Sequence, residues 1–239
     1  SIDNIKHVEV SDILGRNAVV PKKELLQRNI CKKNILISGA GGSIGAELSR
    51  QIMKLNPSKL VLLDNSEFNL YKIDFELRSQ NLSVEVIPSL CTTTNYYQLK
   101  KIIEGHDVQS IYHAAAYKHV PMVERNIVAG AYNNIIGTYN IAKLCDELKV
   151  ENMTLVSTDK AVRPTNVMGA SKRMSELILQ ALSDNGNCCF SIVRFGNVLE
   201  SAGSVVPLFR QHIKEGGPVT GPHRNITRYF MSIPEAVEL

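Results

Sequence analysis

The sequence predicts an α/β protein with a doubly wound parallel sheet and helices on both faces, followed by the start of a smaller region. Short apolar runs alternate with longer amphipathic segments from Asn34 onward, which is typical of parallel strands joined by crossover helices. Residues 35–37 and 60–63 are apolar at consecutive positions, as expected for strands that are buried on both sides. A glycine-rich turn joins the first run to the first amphipathic segment.

The individual elements follow from the spacing of apolar residues and from turn signals. We predict strands at 34–38, 59–63, 84–87, 109–113, 152–157 and 189–194. Predicted helices are 44–54, 67–80, 95–104, 127–148 and 167–184. After Arg194, recurrent Gly and Pro leave one short helix near 204–215. A last helix is expected to begin at Pro234, since proline suits the first helical turn.

These elements divide the chain into three predicted parts. Residues 1–31 lack clear periodicity and form an N-terminal extension that lies on the main domain. Residues 32–194 form the main domain, and 195–239 begin a region that we expect to bind substrate. Because residues 234–239 read as the first turn of a helix, we expect the chain to be an excised piece of a longer protein.

Composition excludes several classes of function. With 239 residues and 44% hydrophobic content, the chain can bury a sizeable core. The net charge of +4 is spread along the chain, so we expect no nucleic-acid partner. No apolar run is long enough to span a bilayer, and we expect no membrane contact by this chain itself. The five cysteines lack C-x-x-C spacing, which fits a reducing compartment. His113 and His119 lack ligand spacing, and we expect no metal.

The glycine-rich turn after the first predicted strand has the pattern of a dinucleotide-binding loop, as in Rossmann-type folds. Glycines at this turn permit a tight bend and a close approach of backbone N–H groups to a pyrophosphate, beside the positive end of a helix. An acidic residue at the end of the second strand accepts hydrogen bonds from the adenosine ribose and disfavours a 2′-phosphate. The alternative is an ordinary glycine-rich turn. We predict NAD as the cofactor, bound by Gly39, Gly41, Gly42, Ser43, Ile44, Gly45 and Asp64.

The stretch from Ser157 to Lys172 carries the chemistry. It places the acid Asp159 beside the possible base Lys160, and it sets Met168 one helical turn before Lys172. A thioether can neither give nor take a proton. On pattern alone, Asp159 and Lys160 are a surface pair and Met168 is helix packing.

Several motifs together resemble the extended short-chain dehydrogenase/reductase superfamily. They are Gly39-x-x-Gly42-x-x-Gly45, the run 113–121 that begins His-Ala-Ala-Ala, Asn134-x-x-Gly137-Thr138, and Arg194-Phe-Gly-Asn197. The block 158–172 narrows the match to the nucleotide-sugar 4,6-dehydratases of bacterial polysaccharide and glycan biosynthesis. Within them the chain resembles the large membrane-tethered branch that has Met in place of the usual Tyr. Residues 11–16 also resemble the lead-in segment of that branch.

The resemblance implies NAD-dependent conversion of UDP-N-acetylglucosamine to the 4-keto-6-deoxy sugar. It also implies a full-length protein at the cytoplasmic side of the bacterial inner membrane, and we expect a homo-oligomer. Asp159 would be the acid and Lys160 the base, while Lys172 would bind the nicotinamide ribose. These roles need Asp159 to stay protonated and Lys160 to become neutral. If the two paired with each other, both would be held charged and the mechanism would stall, but consecutive residues leaving a strand can point apart.

The remaining site residues are assigned by their places in these motifs. Thr158 would orient the sugar 4-hydroxyl, and Asp159 or a water would take its proton. Ser157 and the run Ala114, Ala115 and Ala116 would line the cofactor pocket. Lys118, Asn197 and Arg228 would contact the UDP-sugar, since arginine suits a pyrophosphate as a bidentate donor. An ordinary loop is the alternative for Tyr117 and Lys118.

The sequence departs from the family pattern at two places, one beside the expected adenine contact and one beside the expected sugar pocket. Two other functions are kept as alternatives. The third strand leads into Leu90-Cys91-Thr92 instead of Gly-Asp, and Glu200 replaces a glycine beside the expected sugar pocket. The first alternative is a nucleotide-sugar 4-epimerase, which needs no acid–base pair for elimination. The second is a catalytically silent NAD-binding module, which the missing Tyr favours.

Overall fold

The computed structural model describes residues 22–80, 83–184, 186–199, 205–218 and 230–238. Its centre is a six-stranded sheet in the order β3-β2-β1-β4-β5-β6, and all of its pairs are parallel. The strands are β1 Asn34–Ser38, β2 Lys59–Asp64, β3 Glu85–Leu90, β4 Ser110–His113, β5 Asn152–Thr158 and β6 Cys189–Phe195. The predicted doubly wound parallel sheet is confirmed, with the strand order reversing between β1 and β4.

The helices connect these strands. They are α1 Lys23–Arg28, α2 Ser43–Met53, α3 Glu67–Arg78, α4 Tyr96–Gly105, α5 Val120–Arg125, α6 Ile127–Ala131, α7 Gly137–Glu147, α8 Val167–Ser183, α9 Val205–Lys214 and α10 Ile233–Glu238. Side chains that accept a backbone N–H begin α3, α4 and α8 at Ser66, Asn95 and Asn166, which satisfies donors that a helix start leaves unpaired.

Three helical features differ from the sequence prediction. Helices α1 and α5 were not predicted, because each is only six residues long, too short to show a helical period. The predicted helix 127–148 is wrong as a single regular helix. A π-helical segment, Tyr132–Ile136, separates α6 from α7, and such wider turns are frequent at functional sites.

Two hydrophobic layers enclose the sheet. On one side α4, α7 and α8 bury residues such as Leu99, Ile141 and Leu179. On the other side α2 and α3 cover alternate residues of the same strands, including Ile52 and Ile73. Residues on successive strand positions point to opposite faces, so Leu36 belongs to the first layer while Ile35 and Ile37 belong to the second.

The last described elements return to the main sheet. Strands β7 Asn197–Val198 and β8 Phe230–Met231 form a small parallel pair. Helix α10 then packs against α2, where Ala236 is buried and Val237 contacts the second layer. The helices expected near 204–215 and from Pro234 are confirmed. The domain boundary at 194/195 stays a prediction.

Some predictions fall on residues that the structure leaves undescribed. Residues 11–16, Glu200 and the substrate residue Arg228 lie outside the described residues. Within the described ranges, no helix has both the length and the apolar character needed to cross a membrane.

Candidate cofactor and sugar site

A pocket lies at the carboxyl ends of the central strands, where the strand order reverses. Open α/β sheets bind ligands at this place. Four strand ends supply the lining: the turn after β1, Asp64 and the residues after β2, the segment after β3, and the alanine run after β4. The lining residues are Gly39, Gly42, Leu63, Asp64, Asn65, Ser66, Asn69, Cys91, Thr92, Thr93, Ala114, Ala115, Ala116, Tyr117 and Asn133.

The turn after β1 is built around close backbone approaches. Gly39 has a φ of +69°, and a Cβ placed there would lie 2.7 Å from the Ala115 amide nitrogen. A Cβ at Gly45 would lie 1.9 Å from the carbonyl oxygen of Gly39. A side chain at either position would therefore displace backbone, and the resulting cradle fits a dinucleotide pyrophosphate. Ser43 and Ile44 follow in the first turn of α2, as predicted for a phosphate-binding helix start.

Asp64 holds this turn in place through both of its oxygens. Its Oδ2 accepts from the Gly41 amide at 2.9 Å, and its Oδ1 accepts from the Ser66 amide at 2.9 Å. The carboxylate is nearly buried at the pocket wall. The sequence assigned Asp64 to ribose binding and missed its second task, which is to tie β2 to the glycine turn.

The segment after β3 lines the same pocket, although it lacks the family's aspartate. Thr92 and Thr94 share a hydrogen bond of 2.9 Å between their hydroxyls, and the Thr93 carbonyl accepts from Asn140. Burial raises the pKa of the Cys91 thiol to about 11, so this cysteine is neutral and unreactive. Neutral hydroxyl and thiol groups therefore stand where the resemblance implies a carboxylate.

Met168 and Lys172 share the inward face of α8, as predicted, and both are buried. The Lys172 ammonium donates to the carbonyl oxygen of Val156 at 2.8 Å. Burial lowers the pKa of Lys172 to about 8, while the charge of Glu176 acts in the opposite direction. Lys172 is thus mostly protonated at neutral pH and lies against the end of β5.

Asp159 and Lys160 are in contact, so of the two arrangements that the sequence allowed, the structure has the paired one. A 3-10 turn at Asp159–Ala161 follows β5 and brings both side chains to one side. Asp159 Oδ1 accepts from Lys160 Nζ at 3.0 Å and from the Thr158 hydroxyl at 3.0 Å. Burial would raise the pKa of Asp159, but these hydrogen bonds lower it. The carboxyl group is therefore ionised at neutral pH and does not hold the proton expected of an acid.

Asn197 joins this cluster from the other side. Its Oδ1 accepts from Lys160 Nζ at 3.1 Å, and the short pairing of β7 with β8 fixes its backbone. The sequence assigned Asn197 to the UDP-sugar. Its observed contact is with the proposed base, so it helps to aim the ammonium.

Ser157 does not present its hydroxyl to a cofactor, which differs from its predicted role. The hydroxyl donates to Glu176 Oε1 at 2.6 Å inside the protein. Glu176 is fully buried and also accepts from Arg173 and Arg194. Sequence reasoning missed Glu176, although its place one turn after Lys172 was a usable signal.

A buried polar network lies behind the alanine run. His113 contacts the Ser38 hydroxyl through Nδ1 at 2.6 Å and the Thr138 hydroxyl through Nε2 at 3.0 Å. Asn134, in the π-helical segment, accepts from the Tyr117 amide at 2.8 Å and donates to the Tyr117 carbonyl at 3.0 Å. These bonds fix the loop that carries Tyr117 at the pocket and Lys118 on the surface.

Comparison with known proteins agrees with this geometry. The X-ray structure of Pen from Bacillus thuringiensis superposes with a TM-score of 0.80 at 30% identity, covering 87% of this chain and 66% of that chain. DesIV from Streptomyces venezuelae, a dTDP-glucose 4,6-dehydratase solved with NAD, has a TM-score of 0.72 at 20% identity, with coverage of 84% and 68%. Fold and site together define a member of the extended short-chain dehydrogenase/reductase class.

The family model described as "Polysaccharide biosynthesis protein" matches residues 35–239, and the chain belongs to this family. The capsular polysaccharide biosynthesis protein CapD of Staphylococcus aureus is 45% identical over 100% of this chain and 40% of its own length. A UDP-N-acetylglucosamine 4,6-dehydratase (inverting) of Campylobacter jejuni is 32% identical over 87% of this chain and 62% of its own. The chain thus spans less than two thirds of these relatives.

Proposed function

We propose that the protein catalyses NAD-dependent 4,6-dehydration of UDP-N-acetylglucosamine for bacterial polysaccharide or glycan biosynthesis. The observation that carries this proposal is the contact of Asp159 with Lys160 at the end of β5. The buried Lys172 lies in α8, the helix that follows β5. Elimination of water needs a base at carbon 5 and an acid at carbon 6, whereas oxidation alone needs only a group that takes the hydroxyl proton. The 32% identity to the C. jejuni dehydratase supports the same substrate.

The residues that would hold NAD fit that cofactor. The glycine cradle and Asp64 would bind the adenosine half, and the alanine run after β4 would contact the rest of the molecule. Lys172 would donate to the nicotinamide ribose. When bound, NAD supplies a hydride acceptor for carbon 4 of the sugar and a hydride donor for carbon 6.

The ion pair becomes a usable acid and base once the sugar covers it. In water the charged forms are favoured, but exclusion of water makes two separated charges costly. A proton can then pass over the 3.0 Å from Lys160 Nζ to Asp159 Oδ1. Neutral Lys160 removes the carbon 5 proton, which the neighbouring ketone has acidified. Protonated Asp159 gives its proton to the departing carbon 6 hydroxyl, which leaves as water.

Met168 leaves the first proton transfer to other groups. It is buried beside Lys172, where a tyrosine would act in most relatives of this class. We propose that Thr158, whose hydroxyl already contacts Asp159, orients the sugar 4-hydroxyl. Because Asp159 receives its proton from Lys160, a water accepts the 4-hydroxyl proton, and carbon 5 later takes a proton from solvent. Lys118, Asn197 and Arg228 contact the UDP moiety or the sugar.

The test is incubation of the full-length protein with UDP-N-acetylglucosamine and analysis by mass spectrometry. We expect loss of one water, with deuterium incorporated at carbon 5 in D2O. Asp159→Asn and Lys160→Met should each lower the rate by about 100-fold or more, whereas exposed Lys54→Met should not. A product with the substrate's mass would instead identify a 4-epimerase, the activity named for relatives in Rickettsia.

A second measurement separates a failed reaction from a failed cofactor site. Denaturation of the purified protein should release NAD, identified by its mass. Released NAD with no turnover would mean a catalytically silent NAD-binding module. No NAD, with no binding of added NAD by calorimetry, would contradict the cofactor proposal itself.

We further propose that the full-length protein acts as a homo-oligomer at the cytoplasmic side of the bacterial inner membrane. The membrane location is supported by a 43% identical relative from Methanocaldococcus jannaschii that is named as a membrane protein, and the homo-oligomer is the expectation drawn from the sequence. Membrane fractionation followed by light scattering of the purified protein tests both parts. Recovery as a monomer in the soluble fraction would contradict them.

A further inference from the structure

Glu176 is a buried carboxylate without a role in the reaction proposed above. It is fully buried on α8, one turn after Lys172. Its oxygens accept from the Ser157 hydroxyl at 2.6 Å, from Arg173 at 2.9 Å and from Arg194 Nε at 2.8 Å, and a second Arg194 nitrogen also donates. Burial alone would raise the pKa of Glu176, but these donors lower it to about 2.

The same carboxylate connects three elements of the site. Ser157 lies at the end of β5, directly after Val156, whose carbonyl accepts from Lys172. Arg194 lies at the paired position of β6, because Ser157 and Arg194 are partners in the sheet. One turn of α8 therefore contacts two adjacent residues of β5. Lys172 binds the backbone carbonyl of Val156, and Glu176 binds the side chain of Ser157.

Lys172 needs a counter-charge at this place. Its ammonium is almost fully buried and donates to a neutral carbonyl, and an unpaired charge there is costly. Burial lowers the pKa of Lys172, and Glu176 is the charge that raises it. Other titratable groups lie on α8 itself and on the elements around it: His113, Glu124, Arg125, Tyr132, Tyr139, Lys143, Cys145, Asp146, Glu147, Asp159, Lys160, Arg173, Cys189 and Arg194. His113 stays neutral, since burial lowers its pKa to about 3.

We propose that Glu176 is a positioning residue that keeps Lys172 charged and fixes it against β5, so that the ammonium is ready to bind the nicotinamide ribose. The proposal rests on the proposed function only for that ribose contact. Its electrostatic part concerns two side chains of this chain and holds whatever the substrate is.

The experiment measures the titration of Lys172 directly, by NMR of the lysine side-chain nitrogens in protein without added cofactor. Comparison with Lys172→Met assigns the signal. In Glu176→Gln the midpoint should fall by about one pH unit or more, because an opposite charge at close range shifts a pKa by about 1–3 units. Glu176→Asp should restore most of the shift, and Glu47→Gln, which removes a carboxylate paired with Arg50 on α2, should leave the midpoint unchanged.

Arg194→Met should shift the Lys172 titration midpoint in the opposite direction. It removes a positive charge from the cluster while the carboxylate remains, so the Lys172 midpoint should rise. A merely structural role would shift neither midpoint in a folded variant. An unchanged Lys172 midpoint in folded Glu176→Gln, or in folded Arg194→Met if the first variant does not fold, overturns the proposal.

Cofactor affinity links this titration to the site. By calorimetry, Glu176→Gln should bind NAD more weakly than the wild type at pH 8, by about fivefold or more, and the two should converge at pH 6 as Lys172 regains its proton. Equal weakening at both pH values would contradict the electrostatic role. Shifted titration without turnover of UDP-N-acetylglucosamine would leave this inference standing and would refute the dehydratase proposal alone.

Discussion

Burial and hydrogen bonds compete in setting the pKa values of single side chains in the site. Hydrogen bonds prevail at Asp159 and Glu176, whereas burial prevails at Cys91 and His113. His113 is the clearest case, because its imidazole is enclosed between the Ser38 and Thr138 hydroxyls. Burial lowers its pKa to about 3, and Lys172 lowers it further. The ring therefore serves as a neutral hydrogen-bonding group between β1 and α7, and it would disrupt that link if it became charged.

This predicts a specific acid sensitivity. The folded pKa lies below the ordinary value of 6.5, so the stabilisation from neutral His113 is complete above pH 6.5 and is lost as pH falls toward 3. Between pH 7 and pH 4.5 the wild type should lose about 2–3 kcal/mol more unfolding free energy than His113→Gln. Urea denaturation at the two pH values measures the difference. His119→Gln, at an exposed position, should lose as much unfolding free energy between the two pH values as the wild type. An equally large loss in His113→Gln would refute the proposed role of neutral His113.

Some features of single residues in the site could be predicted from the sequence, and others could not. The glycine cradle was predicted because its pattern is local. The orientation of Asp159 was not, because a 3-10 turn decides it and no spacing rule signals that turn. Glu176 was missed because glutamate in a helix usually faces solvent, although its spacing from Lys172 pointed inward, and its contacts with Ser157 and Arg194 reveal a buried charge.

At the scale of elements, the approach of α2 to β1 depends on the absence of side chains. Gly45 in the first turn of α2 faces the Gly39 carbonyl so closely that any Cβ must move backbone. The cradle shape and the packing of the helix are thus a single feature. Prediction of this element succeeded because strand, turn and helix are consecutive in the sequence.

Gly45→Ala is therefore expected to destabilise the protein by about 1–3 kcal/mol, as overpacking does. It should also lower the amount of NAD that copurifies, since the turn that cradles the cofactor would shift. Gly105→Ala is the matched control, because its Cβ would meet nothing within 4 Å and alanine is the better helix former. Thermal unfolding and cofactor content check both. A Gly45→Ala protein with unchanged melting temperature and NAD content would contradict the cradle.

The wide turn between α6 and α7 is a second element-scale feature, and sequence periodicity did not predict it. An added residue in the turn shifts the helix face, and Asn134 there bonds to both backbone groups of Tyr117. A regular helix over the whole of 127–148 would direct this amide elsewhere. The amphipathic pattern continues through the segment, so only contacts across the chain identify it.

Over the whole molecule, the last described helix contacts a helix near the beginning of the main domain. Helix α10 packs on α2, and Gln51 on α2 donates to the Pro234 carbonyl at 3.3 Å. Buried Ala236 and half-buried Val237 add apolar contacts beside the second layer. The α/β class was predictable from alternating patterns, but this long-range contact was not, since one short apolar pair carries no information about its partner.

Ala236→Asp should lower the unfolding free energy by about 2 kcal/mol or more, because it buries an unpaired carboxylate. The exposed substitution Lys54→Asp at the end of α2 should change stability by less than about 0.5 kcal/mol. Chemical denaturation of both variants measures the difference. Equal stability of the two would mean that α10 does not contribute to the fold.

The strand order has a consequence for the protein during its synthesis. Strand β1 lies beside β4 at the centre of the sheet, yet β4 follows it in the sequence only after β2, β3 and three crossover connections. A ribosome that has delivered β1 to β3 therefore holds a half-sheet whose β1 edge is unpaired and apolar, with Ile35 and Ile37 along it. Such edges promote pairing with other chains. The alanine run after β4 that would contact the cofactor is not yet made at this stage, so we expect the half-sheet to be prone to aggregation until β4 pairs with β1.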